Sequence, residues 1–329
     1  MILKNTTIKR PVIIGICAAV IGLILLAVFL KSTYYWRLVD QCIINAIIVI
    51  GLNLICGYTG QMHFGPTALT ALGAYSMGLL TLYTGLSAWW GLLLAIAVSC
   101  LFGIILGYPC MKISGIYLGL TTMAFAAIVR ILANNMVNVT NGPMGISNIP
   151  GFKLFGLEIS TPQQFFYFLI IIGAIMVWMI VRVVNSKWGR VFKAISTEEQ
   201  AVSTCGISIL RMKIIAFVLS SVYMGVAGAL YACLMTYITP ASFTAEVGYK
   251  YLMMMLVGGI NSIGGSILGA GLLTILPETL KFMENYYLLM FYLVVFLMAV
   301  LRPHGLIDIL RSALRLGRKH RIKGGESSL

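Results

Sequence analysis

The sequence predicts an all-α polytopic membrane protein with about ten transmembrane helices (about 8–10), and with both termini in the cytoplasm. Of its 329 residues, 60% are hydrophobic and only 10% are charged, whereas soluble domains carry about 25% charged residues. So few charges cannot cover the surface of a water-soluble fold. The apolar runs are continuous and lack the alternation of a membrane β-barrel, so the predicted spans are helices.

The predicted spans follow from apolar runs compared with the ~20 residues that a helix needs to cross a bilayer. In chain order these runs are residues 11–30, 42–56, 67–83, 89–108, 113–131, 165–184, 214–234, 251–260, 267–282 and 286–301. Residues 31–40 are predicted to be a polar, aromatic break at the membrane interface. Pro109 is predicted to stop the fourth span, and the loop at residues 132–163 to consist of turns, because it is rich in Gly, Pro and Asn.

The distribution of basic residues predicts the orientation of the chain. The net charge is +14, and most basic residues fall in segments that share one side in a ten-span topology, which the positive-inside rule makes cytoplasmic. The chain then divides into a cytoplasmic N-terminus (residues 1–10), a transmembrane domain (11–301) with a cytoplasmic polar loop (185–213), and a basic cytoplasmic tail (302–329). The basic residues indicate contact with membrane lipid and not with nucleic acid.

The polar loop at residues 185–213 carries helix signals. Ser196 and Glu199 have the spacing of a capping box, and Gly206 can supply the left-handed residue that ends a helix. We therefore predict a short helix over residues 197–205, which is either a solvated connector or a docking site for a partner protein. The residues assigned to the docking hypothesis are Arg190, Ala194, Ser196, Glu198, Glu199, Ala201 and Gly206.

A second polar segment, GYTGQMH, separates two apolar runs and predicts a helix break in or near the membrane. Such breaks line solute paths in many transporters, although a simple turn at the cytoplasmic face fits equally well. Under the path hypothesis, Thr59 and Gln61 would offer hydrogen bonds to a zwitterion. His63 has no acidic or cysteine neighbour in sequence and is expected to be structural. The candidate path or gate residues are Gly57, Tyr58, Thr59, Gly60, Gln61 and His63.

Several motifs are absent from the sequence. It contains no GxxxxGK[ST] motif, so the chain is not expected to hydrolyse ATP or to hold a cofactor of its own. Acidic residues are scarce in the spans, which disfavours a proton-coupled transporter working alone. The segment GGINSIGG at residues 258–265 predicts close packing of two short helices, with a pore-lining role as the alternative.

Six sequence blocks, in order along the chain, resemble branched-chain amino-acid ABC transporter permeases of the LivM type. The pattern Glu-x-Ala-x4-Gly at Glu199, Ala201 and Gly206 resembles the loop by which such subunits dock on their ATPases. The blocks are GLNLICGYTGQMHFGPTALTALGAY (51–75), YLGLTTMAFAAIVRIL (117–132), TNGPMGISNIPG (140–151), GRVFKAISTEEQAVSTCGISILRMKIIAFVLSSVYMGVAGAL (189–230), LMMMLVGGINSIGGSILGAGL (252–272) and LRPHGL (301–306).

This resemblance implies an ABC importer permease fold in a bacterial cell membrane. It also implies three kinds of partner: ATPase subunits that bind the ATP, a second permease of the LivH type, and an extracytoplasmic substrate-binding protein. The implied substrates are leucine, isoleucine and valine. His63 and Pro66 depart from the family's usual pattern, so urea, short amides or another small polar solute remain alternatives, as does an ion-coupled secondary transporter.

Overall fold

The computed structural model describes residues 33–110, 113, 115–154, 157–159, 161–281 and 286–301. The predicted span at residues 11–30, the N-terminal segment 1–10 and the tail 302–329 lie outside these residues.

Helices account for most of the described chain. They are α1 (Thr33–Asn53), α2 (Pro66–Thr84), α3 (Ala88–Cys110), α4 (Ile116–Asn135), α5 (Val137–Thr140), α6 (Pro162–Asn185), α7 (Lys187–Thr197), α8 (Glu199–Thr204), α9 (Ile209–Met235), α10 (Ala245–Gly258), α11 (Ile263–Leu280) and α12 (Tyr287–Leu301). A π-helical turn (Leu54–Tyr58) continues α1, and 3-10 turns occupy Gly142–Met144 and Pro240–Phe243. Strand β1 (Ile146–Ser147) pairs antiparallel with β4 (Tyr237–Ile238), and β2 (Lys153–Leu154) pairs antiparallel with β3 (Leu157–Glu158).

Six helices of the described residues are long and apolar enough to cross a membrane. In the most apolar stretch of α1, 83% of the residues are buried inside the protein, and in α9 67% are buried, against 22–28% in the others. Helix α2 is not one of the six, yet thirteen of its nineteen residues are buried. Helices α1, α2 and α9 therefore form the centre of the bundle, and the other membrane-length helices surround them. The count of ten spans stays a prediction.

One boundary prediction is wrong and another agrees with the structure. The predicted break at residues 31–40 is helical from Thr33 onward, because its described part contains neither Gly nor Pro to interrupt a helix. Trp36 in this stretch is buried and packs edge-on against Phe166 of α6. The fourth span ends at Tyr108 as predicted, and helix α3 continues only to Cys110, one residue beyond Pro109.

The loop at residues 132–163 contains the predicted turns. Asn141, Asn148, Gly142 and Gly145 all adopt positive φ angles between 56° and 69°, the left-handed conformation that Gly and Asn tolerate best. The prediction did not include β1, which pairs with β4 and thereby ties this loop to the end of α9.

Glycines allow α2 and α9 to cross in backbone contact. A Cβ atom added at Gly73 would lie 2.1 Å from the carbonyl oxygen of Gly225, and one added at Gly228 would lie 2.0 Å from that of Thr70. Without side chains at these positions the two helices approach closely, as small residues allow in membrane bundles. This contact fixes the position of α2, which leads directly out of the polar GYTGQMH segment.

Candidate functional site

The predicted helix break is present. We call residues 57–65 the polar turn. Helix α1 widens into the π-helical turn, after which the Gln61 amide donates to the carbonyl of Ile55 at 3.2 Å and Gly60 takes a φ angle of 70°. The chain then enters α2 at Pro66, the first helical position, where a missing N–H costs nothing. A π-helical turn inside an α-helix frequently marks a functional site.

Three polar side chains of the polar turn, those of Thr59, Gln61 and His63, are buried. The Thr59 hydroxyl donates to the carbonyl of Ile55 at 2.7 Å and is buried. It therefore stabilises the turn through its donor, and the role of Thr59 as a hydrogen-bond partner of a solute stays a prediction. The Gln61 side chain is buried. His63 is also buried, and its ring packs edge-on against Phe217 of α9 with the ring centroids 5.2 Å apart.

A residue that the sequence analysis missed holds the polar turn in place. Asn53, at the end of α1, donates from its Nδ2 atom to Ser266 Oγ at 2.7 Å and to the carbonyl of Ser262 at 3.1 Å. A longer bond of 3.4 Å reaches the carbonyl of Gly259. Its Oδ1 atom accepts from the Asn261 amide at 3.0 Å. We call this group of contacts the Asn53 clamp.

The clamp joins the polar turn to the turn between α10 and α11. A Cβ atom at Gly57 would lie 2.0 Å from Asn53 Oδ1, so only glycine leaves room for the clamp beneath the polar turn. Gly258 and Gly265 lie in mutual backbone contact, since a Cβ at Gly258 would come within 2.1 Å of the Gly265 carbonyl oxygen. This confirms the predicted packing role of the GGINSIGG segment. The sequence signal for Asn53 was an isolated amide in an apolar run, four residues before Gly57.

A second contact fixes the other end of the polar turn. The amide of Phe64 donates to the Thr122 hydroxyl of α4 at 3.0 Å. A Cβ atom at Gly65 would lie 2.1 Å from the Thr122 carbonyl oxygen. The polar turn is therefore held by α4 as well as by α10 and α11.

The polar loop at residues 185–213 forms two helices instead of the predicted one. Ser186 caps α7 by accepting from the Trp188 amide at 3.1 Å. Helix α8 covers Glu199–Thr204 and not residues 197–205. The predicted capping box is wrong: Ser196 lies in the last turn of α7, where its hydroxyl donates to the carbonyl of Lys193 at 2.8 Å. Its hydroxyl is occupied within α7, so it does not cap the next helix.

The end of α8 agrees with the prediction. Cys205 is the C-cap and Gly206 follows it with a φ angle of 74°. We call α7 and α8 together the coupling segment.

The coupling segment contains an open groove of about 540 Å³ between α7 and α8. Four of the seven predicted docking residues line it: Arg190, Ala194, Glu198 and Ala201. All four are exposed, and the groove floor includes the buried side chain of Val202. A concave surface with small side chains on its walls and charges at its rim fits a protruding element of another protein.

The remaining docking candidates lie elsewhere. Glu199 is not among the residues that line the groove, and it forms an ion pair with Lys213 of α9. The Lys213 side chain is 11% exposed and that of Glu199 is 50% exposed. Lys213 was not among the predicted residues. The ion pair shows that Glu199 joins α8 to the central helix α9 within this chain.

Ser196 faces the polar turn. A Cβ atom at Gly60 would lie 3.2 Å from that of Ser196, and the Lys193 ammonium lies 5.3 Å from the centre of the Tyr58 ring. The coupling segment therefore touches both the polar turn and α9. The structure thus brings the candidate path residues of the polar turn next to the candidate docking residues of the coupling segment. The sequence did not predict this proximity.

Within the described residues, no group of three or more His, Cys, Asp or Glu side chains is arranged as a metal site would require.

The apolar helices and the interrupted central helix define a multi-pass membrane protein. A family model described as branched-chain amino acid transport system / permease component matches residues 34–300. The chain belongs to this family.

Individual relatives agree with the family model. The chain is 32% identical to the high-affinity branched-chain amino acid transport system permease protein LivM of Escherichia coli (strain K12), over 95% of this chain and 79% of that protein. It is also 32% identical to LivM of Salmonella typhimurium, over 88% of this chain and 73% of the relative. Similarity to LivH of Escherichia coli (strain K12) is 23%, over 72% of this chain and 81% of the relative. No solved structure matches the chain.

Proposed function

We propose that this chain is the membrane-spanning permease subunit of an ATP-driven importer of branched-chain amino acids. It forms part of the translocation path and transmits work from separate ATPase subunits, which bind and hydrolyse the ATP. The remaining partners would be a second permease, similar to the LivH relative, and an extracytoplasmic substrate-binding protein. The LivM and LivH relatives are permease proteins of high-affinity branched-chain amino acid transport systems, which supports the substrate class.

The contact between the coupling segment and the polar turn is the observation that carries this proposal. An ATPase subunit would dock in the groove between α7 and α8 on the cytoplasmic side. Movement of α7 would then act on the polar turn through Ser196 and Gly60, which lie against each other. Movement of α8 would act on α9 through the Glu199–Lys213 ion pair. Both routes lead to the central helices, which alternating access requires to reorient.

Transport in proteoliposomes tests the proposal. The chain is reconstituted with its cognate permease, ATPase and binding-protein subunits, and uptake of radiolabelled leucine, isoleucine and valine is measured with and without ATP. Uptake is expected only with ATP and the ATPase subunits present. Uptake of leucine by this chain alone under an ion gradient would instead indicate a secondary transporter. Uptake of urea or acetamide in place of leucine would change the substrate class.

A groove variant tests the docking site. Ala201→Arg places a long cationic side chain inside the groove and is expected to prevent co-purification of the ATPase subunits and to abolish ATP-driven uptake. Gln200→Arg is the matched control, since Gln200 is exposed on the same short helix and does not line the groove. Equal recovery of the ATPase subunits with both variants would contradict docking in this groove.

A further inference from the structure

Helix α2 is buried like the other central helices, but unlike them it is not apolar enough to be counted among the six membrane-length helices. Its hydroxyl groups follow a pattern. Thr70, Ser76, Thr81 and Thr84 each donate to a carbonyl of their own helix. This internal bond is the ordinary way for a hydroxyl in a membrane helix to satisfy its donor.

Thr67 and Tyr75 depart from this pattern. Within the described part of the chain, the hydroxyl groups of Thr67 and Tyr75 and both ring nitrogens of His63 are buried and have no hydrogen-bond partner. Thr67 and Tyr75 are eight residues apart in α2 and therefore lie on the same broad side of this helix, and His63 lies in the turn that leads into it. We call these three residues the α2 polar stripe. A buried polar group without a partner is costly, and its presence in a protein interior asks for an explanation.

The surroundings of the stripe combine aromatic rings with a small residue. The Tyr75 ring lies 6.1 Å from that of Phe243, which lies 6.0 Å from that of Tyr231 on α9. Opposite Thr67 stands Gly248 of α10, where an added Cβ would be 3.6 Å from Thr67 Cγ2. In this conformation α9, α10 and the 3-10 turn cover the stripe. Its polar atoms become available to a solute only when these elements separate from α2.

We propose that the α2 polar stripe is the solute-binding face of the translocation path, with Thr67 and Tyr75 as its specificity-determining hydroxyls. The inference rests on the proposed transport function. Hydroxyl and imidazole groups can donate and accept hydrogen bonds, so they can pair with both the ammonium and the carboxylate of a zwitterionic amino acid. They do so without the cost of a fixed charge at membrane depth. The rings of Tyr75 and Phe243 supply the apolar contact that a branched aliphatic side chain needs.

The test uses the complete complex, purified in detergent without its binding protein, and measures equilibrium binding of radiolabelled leucine. Thr67→Val and Tyr75→Phe each remove one hydroxyl and leave the shape almost unchanged. Each variant is expected to weaken leucine binding about 5–10-fold, the loss of one hydrogen bond. The midpoint of thermal unfolding should not fall, because no hydrogen bond of the covered state is lost.

Thr70→Val is the matched control. Thr70 lies on the same helix and is equally buried, but its hydroxyl donates to the carbonyl of Pro66 at 2.9 Å. This variant is expected to bind leucine like the wild type. If Thr67→Val and Tyr75→Phe also bind leucine with wild-type affinity, the stripe is not the binding face.

Failure of the proposed function gives a different result. In that case the wild-type complex neither binds nor transports leucine but takes up another small solute, such as urea or acetamide. Equilibrium binding of that solute to the same three variants is then measured. Weaker binding with Thr67→Val and Tyr75→Phe would support the stripe with a different substrate. Unchanged binding would overturn it.

Discussion

The ion pair between Glu199 and Lys213 offers a direct test of how α8 is connected to the bundle. Glu199→Gln removes the negative charge and keeps the size of the side chain, which leaves the Lys213 ammonium without its carboxylate. Because the Lys213 side chain is mostly buried while that of Glu199 is half-exposed, the cost should fall between the values for exposed and buried pairs. We expect about 1–2 kcal/mol.

Lys213→Met removes the buried charge together with its need for a partner. The double variant Glu199→Gln, Lys213→Met should therefore be more stable than Glu199→Gln alone. Its change in unfolding free energy should differ from the sum of the two single changes by at least about 0.5 kcal/mol. Glu198→Gln is the control. It removes a neighbouring negative charge that forms no ion pair among the described residues. Thermal unfolding of the detergent-solubilised complex measures all four variants, and the expected fall for Glu199→Gln is about 2–8 °C.

The amount of leucine transported per ATP hydrolysed tests what the ion pair does in the working complex. If Glu199 acts through Lys213, both Glu199→Gln and Lys213→Met should lower the amount of leucine transported per ATP hydrolysed. If Glu199 instead contacts the ATPase subunit directly, Lys213→Met should leave this ratio unchanged while Glu199→Gln lowers it. Additive effects on the unfolding temperature, together with an unchanged transport ratio in Lys213→Met, would refute the reasoning.

Two further predictions concern the clamp and the central helix crossing. Asn53→Asp replaces the Nδ2 donor of the clamp with a carboxylate oxygen that faces two carbonyls, and should lower leucine uptake per ATP as well as stability, by about 1–3 kcal/mol. Asn45→Asp is its control, because Asn45 Nδ2 donates to the Thr274 hydroxyl between the same two helices. This hydroxyl, which donates to the carbonyl of Ala270, can turn to donate to an aspartate, whereas the carbonyls that face Asn53 cannot donate; equal losses would argue against a special role for the clamp. Gly73→Ala should destabilise the protein by about 1–3 kcal/mol, whereas Gly271→Ala should be neutral or slightly stabilising, since an added Cβ at Gly271 has nothing within 4 Å. A thermal shift assay measures both, and a stable Gly73→Ala variant would show that α2 and α9 do not cross as closely as described.

Local signals in the sequence predicted several features correctly. The two glycines and the polar residues at positions 57–61 predicted a break after α1. Glycine weakens helices, and this stretch is much less apolar than the runs on either side of it. Gly206 predicted the end of α8, since its left-handed backbone is a local property of glycine. The capping box failed because Ser196 and Glu199 fit the pattern equally well when Ser196 ends one helix and Glu199 begins the next.

The sequence by itself determined that this chain is a helical membrane protein, which of its segments are apolar, and which family it resembles, because composition and motif order are properties of the chain alone. Only the tertiary structure decided which polar groups meet. The polar turn and the coupling segment are more than 120 residues apart in the sequence, and Asn53 reaches residues more than 200 positions away. Such contacts depend on the order in which helices pack, which no local pattern encodes. The same packing places Thr67 and Tyr75 inside the bundle while their hydroxyls have no partner in the described chain, and it thereby identifies α2 as the helix to test first.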